Sequence, residues 1–445
     1  PPRYAIPFLA DAPRVSVGAV LDFADFELLG VELLLIASIV AIGARYLRVP
    51  QTVALVVAGF CISFGHFFDV TLSRDFILLV FLPPLLFEGA INMDLNELRR
   101  RWLQVLLLAV PGTLITAGVV AGALVVFTDL PFRFALLLAV ILAPTDPVSV
   151  LATMKANGVA GGLRTLLEGE SVFNDALGIV LFTIALSFAF PADPGHAMDW
   201  AGAVREFFAE VAIGIGVGIV MGYVIHRLMR LLDDHLVEVT LSVALAFGTF
   251  LLADRLGGSG VLAVVVGGLF IGNYGTHRAM SASSQAVLFD VWEVAAFLLN
   301  SALFLLIGLE FRAQDLGELT TATAAIVVTL ALLAGRAIAV YGLLLPFGGG
   351  RTRAAVQVSP GWRHAIYWGG LRGSIPIALV LGLTATQRDL HGINAVAVVF
   401  GAVIVSLVGQ GITFAPLLAK LHIAADRPDK KARGRQRDRR AARPG

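Results

Sequence analysis

Among 445 residues there is a single cysteine, Cys61, which excludes an intrachain disulfide framework and any cysteine-based metal site. Charge is scarce too: Asp, Glu, Lys and Arg make up 15% of the chain and nearly cancel, leaving a net +1, where soluble domains carry about 25% charged residues. So small a net charge offers no steering field for a nucleic acid. The eight histidines lie at the ends of apolar runs or between them, and no HExxH occurs. That leaves no zinc motif and no evident general base for a nucleophilic serine. What fills the chain instead is apolar: 58% of residues are hydrophobic and the mean hydropathy is +0.85, well above the roughly 45–50% apolar content of soluble domains.

Apolar stretches of a length that crosses a hydrocarbon core, about 17–25 residues each, recur through the sequence. Thirteen are read, at 27–46, 50–68, 76–94, 103–128, 133–154, 165–190, 204–229, 237–254, 258–274, 286–310, 320–346, 362–386 and 394–420. Connections are mostly short, with no Ser/Pro-rich linker. The expectation is therefore an all-α polytopic membrane protein of about 13 transmembrane helices, because backbone in lipid must satisfy its own hydrogen bonds. Residues 1–25 are read as an extracytoplasmic segment, 26–421 as the transmembrane domain and 422–445 as a short basic tail.

Positive residues stay on the cytoplasmic side. With the C-terminus inside, 23 of the 33 basic residues fall on that side and eight on the other, while Arg336 and Arg372 lie within spans. The prediction is an inner-membrane, multi-pass protein with its N-terminus outside. Its tail, KKARGRQRDRRAARPG, is read as a topology anchor against anionic headgroups.

Against this apolar background two carboxylates stand out, Asp146 in LAPTDPVSV and Asp175 in GESVFNDALGIV. A charge at mid-membrane costs roughly 2.5–3.5 kcal/mol even on lenient insertion scales, so such groups usually mark an ion or proton path. Thirteen spans permit an inverted repeat of spans 1–6 against 8–13, common in secondary transporters. Span five then matches span twelve, and each holds a helix breaker beside polar residues: Thr145-Asp146-Pro147 in one, GLRGSIP from Gly370 to Pro376 in the other. Proline frees carbonyls at such depths. The expectation is two broken helices that cross.

On span six, Glu170, Ser171, Asn174 and Asp175 fall within an arc of about 140° at 100° per residue. If that face meets the break in span five, Thr145, Asp146, Ser171, Asn174 and Asp175 converge on one cavity. Such oxygen ligands suit sodium, lithium or potassium rather than a transition metal. Arg372 requires a carboxylate partner within the bundle, and Glu170 is the expected one. Glu88, in LLFEGAINMD, is read either as a second candidate or as a residue snorkelling to the interface.

Taken together, FEGAINMD, APTDPVSV, GESVFNDALGIV, FLLIGLEF and GLRGSIPIAL resemble the monovalent cation:proton antiporter-1 family, specifically its NhaP-type sodium/proton antiporters. The resemblance implies that Asp175 is the carrier of ion and proton. It assigns Thr145, Asp146 and Ser171 to cation coordination, Asn174 to steadying the site, Glu88 to the FEG motif, and Glu170 with Arg372 to a buried ion pair. It also implies a homodimer of protomers that each combine a dimerisation domain with a moving core domain. Exchange is expected to be electroneutral, as in members with Asn-Asp rather than Asp-Asp.

The mechanism expected is competition: burial penalises a charged carboxylate, so Asp175 can be neutralised by a proton or by a cation, one at a time. No enzymatic activity and no cofactor are expected. A K+/H+ antiporter or a cation channel of similar architecture remain the alternatives, although no repeated ring of filter residues is present.

Overall fold

A computed structural model describes residues 23–47, 49–63, 77–159, 161–191, 200–231, 234–276, 280–311, 317–348 and 356–423. The expected basic tail from residue 424 and the N-terminal segment as far as residue 22 lie outside the described residues. Within them the chain is helical, with no β-strand beyond an isolated bridge between Asp389 and Asn394.

Fifteen helices of eight residues or more follow one another among the described residues: α1 (Phe23–Leu47), α2 (Gln51–Ser63), α3 (Ile77–Asn92), α4 (Leu95–Thr128), α5 (Phe132–Leu142), α6 (Val148–Ala156), α7 (Gly162–Ala189), α8 (Trp200–Met229), α9 (His235–Arg255), α10 (Gly260–Gly275), α11 (Ala282–Glu310), α12 (Leu319–Leu343), α13 (Pro360–Trp368), α14 (Ser374–Leu381) and α15 (Ala395–Lys420). Within α4, α7, α8, α9, α11, α12 and α15 there are seven stretches long and apolar enough to cross a membrane; α2, α3, α5 and α10 are shorter apolar helices. Short polar side chains start many of them by accepting first-turn N–H groups, as Asp94 does for α4, Ser259 for α10 and Asn394 for α15, the usual satisfaction of orphan donors at a helix start.

The helices sort into two packed groups. In the first, α2 lies along α11, α8 along α10, and α10 against α3 and α9. The α2–α11 crossing is backbone on backbone: a Cβ on Gly59 would overlap the carbonyl of Leu305, and one on Gly308 the carbonyl of Val56. Small residues permit such approach in lipid. The glycines of GIGVGIVMG in α8 serve the same end, since Gly214, Gly218 and Gly222 face α10, whereas Gly216 meets nothing within 4 Å. In the second group, α12 packs along α4, α7 sits against α4 and α5, and α15 packs on α12 and α14.

Spans five and twelve are both interrupted. The first divides into α5 and α6 around Ala143–Pro147, the second into α13 and α14 around Gly369–Gly373. The two interruptions meet, with the Asp146 N–H donating to the Leu371 carbonyl at 2.8 Å. Two helices broken at one level leave four half-helix ends in the middle of the molecule.

Candidate functional site

Helix ends expose unsatisfied N–H and C=O groups and carry partial charges of about half a unit. At the crossing, side chains of complementary charge meet them. Asp146 Oδ1 accepts from the Val148 N–H at 2.9 Å, at the positive start of α6, and the same carboxylate accepts from the Ser374 N–H at the start of α14. At the opposite sign, Arg372 donates to the carbonyls of Ala143 and Pro144 (the latter at 3.0 Å), where α5 ends. The end of α13 is met by Gln410, which donates to the Trp368 carbonyl at 3.1 Å, and by Arg336 Nη2, which donates to that of Ile366 at 3.0 Å. Ser406 accepts the Arg372 N–H at 3.1 Å and donates to Gln410. Ser406 and Gln410 stand on a π turn of α15.

This network corrects one expectation. Glu170 pairs with Arg336, not with Arg372: the Arg336 guanidinium grips both carboxylate oxygens, Nη2 reaching Oε2 at 2.9 Å. Arg372 was expected as the partner because Glu170 lies at similar depth on the inward face of span six, and because the family resemblance implies that pair. Its guanidinium instead turns to the bare carbonyls at the end of α5, while Arg336, on α12, presents its planar fork to Glu170.

The remaining expected residues are brought together. Ser171 donates to the Thr145 carbonyl at 2.7 Å, and Asn174 holds Thr145 by both of its amide atoms, Nδ2 donating to Oγ1 at 2.7 Å and Oδ1 accepting the backbone N–H at 3.3 Å. Glycine provides the room: a Cβ on Gly178 would overlap the Pro144 ring, and one on Gly373 the Asp146 carboxylate. Asp175 stands one turn beyond Ser171, buried, with Asp146 near enough to interact with it directly.

Asp146, Asp175, Ser171, Thr145 and Ser374 line one wall of a cavity of about 450 Å³. Glu88, half-buried and held by Asn92 Nδ2 at 2.9 Å, lines it too, so it is not simply a residue at a helix end. Glu168, buried and paired with Arg164 at 2.6 Å, also lines it, as does the exposed Glu293, paired with Lys155 at 2.6 Å.

The polar face of α7 is thus divided. At 100° per residue, Arg164, Glu168, Ser171 and Asp175 fall within about 60° of one another and face the cavity; Glu170 and Asn174 sit on the adjacent edge, toward Arg336 and Thr145. The spacing i, i+4, i+7, i+11 of the first four was the available signal for Arg164 and Glu168, both missed. Ser406 and Gln410 had a signal as well, an i, i+4 polar pair in an otherwise apolar span. Glu293 and Asn300 of α11 also line the cavity, while Ser301 is an interhelical bonder, accepting from Gln51 at 2.9 Å. For a bound group the donor set offers carboxylate and hydroxyl oxygens, and the described residues contain no cluster of His, Cys, Asp and Glu arranged to hold a transition metal.

Comparison with known proteins places this geometry. Residues 33–420 match the family model described as "Sodium/hydrogen exchanger, transmembrane". The chain is 35% identical over 398 residues to the Na(+)/H(+) antiporter ApNhaP of Aphanothece halophytica, covering 89% of this chain and 74% of that one. It is 37% identical over 366 residues to the Na(+)/H(+) antiporter NhaP of Pseudomonas aeruginosa, covering 80% and 82%. The fold is similar to the solved structure of the sodium proton antiporter MjNhaP1 of Methanocaldococcus jannaschii, with a TM-score of 0.69 at 20% identity, covering 88% of this chain and 95% of that one.

Proposed function

Because the chain belongs to the sodium/hydrogen exchanger family, we propose that it exchanges Na+ for H+ across the membrane at Asp175. The observation that carries the reading is that Asp175 and Asp146 line one and the same cavity, at a helix crossing whose other ends are already neutralised. The named relatives are sodium antiporters, which favours sodium over potassium.

Asp175 is the shared group. Asp146 is anchored by the N–H groups that start α6 and α14, so it contributes negative charge at a fixed position. Ser171 and the Thr145 backbone complete an oxygen set suited to an alkali cation. Asn174 fastens the break to α7, and Glu88 adds negative charge farther along the cavity. A cation binds the ionised carboxylate and a proton neutralises it; either product lowers the cost of carrying the site through an apolar barrier, while the bare carboxylate keeps the full cost. Exchange without leak follows. The Lys and Arg distribution orients the cavity mouth to the cytoplasm, with the N-terminus outside. A homodimer, thirteen spans per protomer and electroneutral exchange complete the proposal.

The test is a proteoliposome assay with a trapped pH dye. Addition of Na+ should drive proton movement in wild type, and Asp175→Asn should abolish it. Proton movement at the wild-type rate in that variant overturns the assignment. Rapid voltage-driven Na+ current at clamped pH would favour the channel alternative.

A further inference from the structure

The cavity is not uniformly acidic toward its rim. Glu88, Glu168 and Glu293 line it, and so do two cations, Lys155 and Arg164. Arg164 is a partner for Glu168 within the same helix, at i and i+4, and that carboxylate is nearly buried, with 7% side-chain exposure. Lys155 differs. It stands in the last turn of α6, where the helix dipole favours a cation, and reaches across to Glu293 of α11 at 2.6 Å, with both side chains more than 60% exposed. Asp146 stands two residues before the start of the same nine-residue helix and accepts from its first N–H. One short rod therefore holds a carboxylate of the ion site at one end and a flexible ammonium in the ion's approach at the other.

We propose that Lys155 acts as a tethered cation which competes with incoming Na+ for the carboxylates of the vestibule and so sets the apparent Na+ affinity. This rests on the antiport reading and adds to it a specific positioning residue. With all three glutamates ionised, the five groups sum to one net negative charge. Removing the Lys155 charge makes it two; removing the Glu293 charge makes it zero. A cleft with low-dielectric walls focuses such differences onto a small cation. Salt screens them, over a Debye length of about 10 Å at 0.1 M ionic strength.

The competing account is mechanical: the exposed ion pair joining α6 to α11 is only a latch between the two helix groups. The two accounts differ in sign. Charge competition requires Lys155→Met to lower the KM for Na+ and Glu293→Gln to raise it, each by about two- to fivefold at low ionic strength, with a smaller change in kcat. The double variant should return KM close to wild type, and 0.3 M choline chloride should compress the differences. A latch requires both single variants to shift turnover in the same direction, since each breaks the same pair.

The measurement is the initial rate of Na+-driven proton movement in proteoliposomes, titrated with Na+ at two ionic strengths. The half-saturating Na+ for thermal stabilisation of the purified protein in detergent is read alongside. Stabilisation does not depend on turnover, so a failure of antiport in wild type stays separate from a failure of the rim assignment. KM and half-saturation moving in opposite senses in the two variants support the proposal. Movement in the same sense, or none in either variant, overturns it.

Discussion

At the residue scale, the site is decided by which charged group each helix end receives. Glu170 and Arg372 were expected to pair because Glu170 is a carboxylate at similar depth on the inward face of span six, a pairing that the family resemblance also implied. The structure gives Glu170 to Arg336 and turns Arg372 to the carbonyls of Ala143 and Pro144. The consequence is measurable. Arg336→Ala leaves a carboxylate with 1% exposure unpartnered, expected to cost about 3–5 kcal/mol, because breaking a buried pair strands one charge. Arg372→Ala uncovers backbone carbonyls, a loss of about 1–3 kcal/mol. A double-mutant cycle by thermal unfolding should find strong coupling between Glu170 and Arg336 and weak coupling between Glu170 and Arg372. The reverse order would restore the expected pairing. Asn174 is a second residue whose role is exposed by geometry: both amide atoms are spent on Thr145. Asn174→Asp adds a carboxylate beside Asp175 and removes the donor to Thr145 Oγ1. Exchange should become sensitive to membrane voltage and slower, and voltage-insensitive exchange in that variant would show that this position does not set charge balance.

At the element scale, most of the architecture was legible. Apolar length located the helices, and the Pro and Gly clusters located both interruptions, because each acts through local backbone chemistry that sequence displays directly. Less legible was which side of α7 faces what. The four polar residues from Glu170 to Asp175 form one arc by periodicity, yet the cavity takes one edge of it, with Glu168 and Arg164 about one and two turns before Ser171, and Arg336 takes the other. That division depends on where α12 packs, which no local pattern records. Close approaches were likewise hidden: Gly178 reads as an ordinary small residue in a helix, but it stands where the Pro144 ring must sit. In a helix interior Gly→Ala normally stabilises, by up to about 1 kcal/mol. Gly178→Ala should instead lower stability by about 1–3 kcal/mol through overpacking and slow transport by displacing Thr145 and Asp146. Gly216→Ala, on the open face of α8, is the matched control and should be neutral or stabilising. Equal behaviour of the two in thermal unfolding and Na+-driven proton movement would remove Pro144 packing as the explanation.

At the scale of the whole molecule, the two helix groups meet along a seam that the cavity follows. Asp146 and Asp175 belong to the group containing α5, α6, α7 and α14, while Glu88 and Glu293 belong to that containing α3 and α11. On the proposed exchange, carrying the site from one side of the membrane to the other requires the group of α5, α6, α7 and α14 to shift against that of α3 and α11, since an interior packed at solid density deforms by rigid displacement rather than by local softening. A covalent tie across the seam should therefore stop transport, and a tie within one group should not. Thr52 of α2 and Ser149 of α6 hydrogen-bond hydroxyl to hydroxyl across the seam, close enough for paired cysteines to form a disulfide. Gln51 of α2 and Ser301 of α11 are hydrogen-bonded within one group. With Cys61→Ser as background, the protein has no other thiol. Oxidised Thr52→Cys/Ser149→Cys should lose Na+-driven proton movement and regain it on reduction, whereas Gln51→Cys/Ser301→Cys should keep it in both states. Undiminished transport with the first pair fully oxidised would mean that α2 and α6 travel together, and the moving boundary would have to lie elsewhere in the bundle.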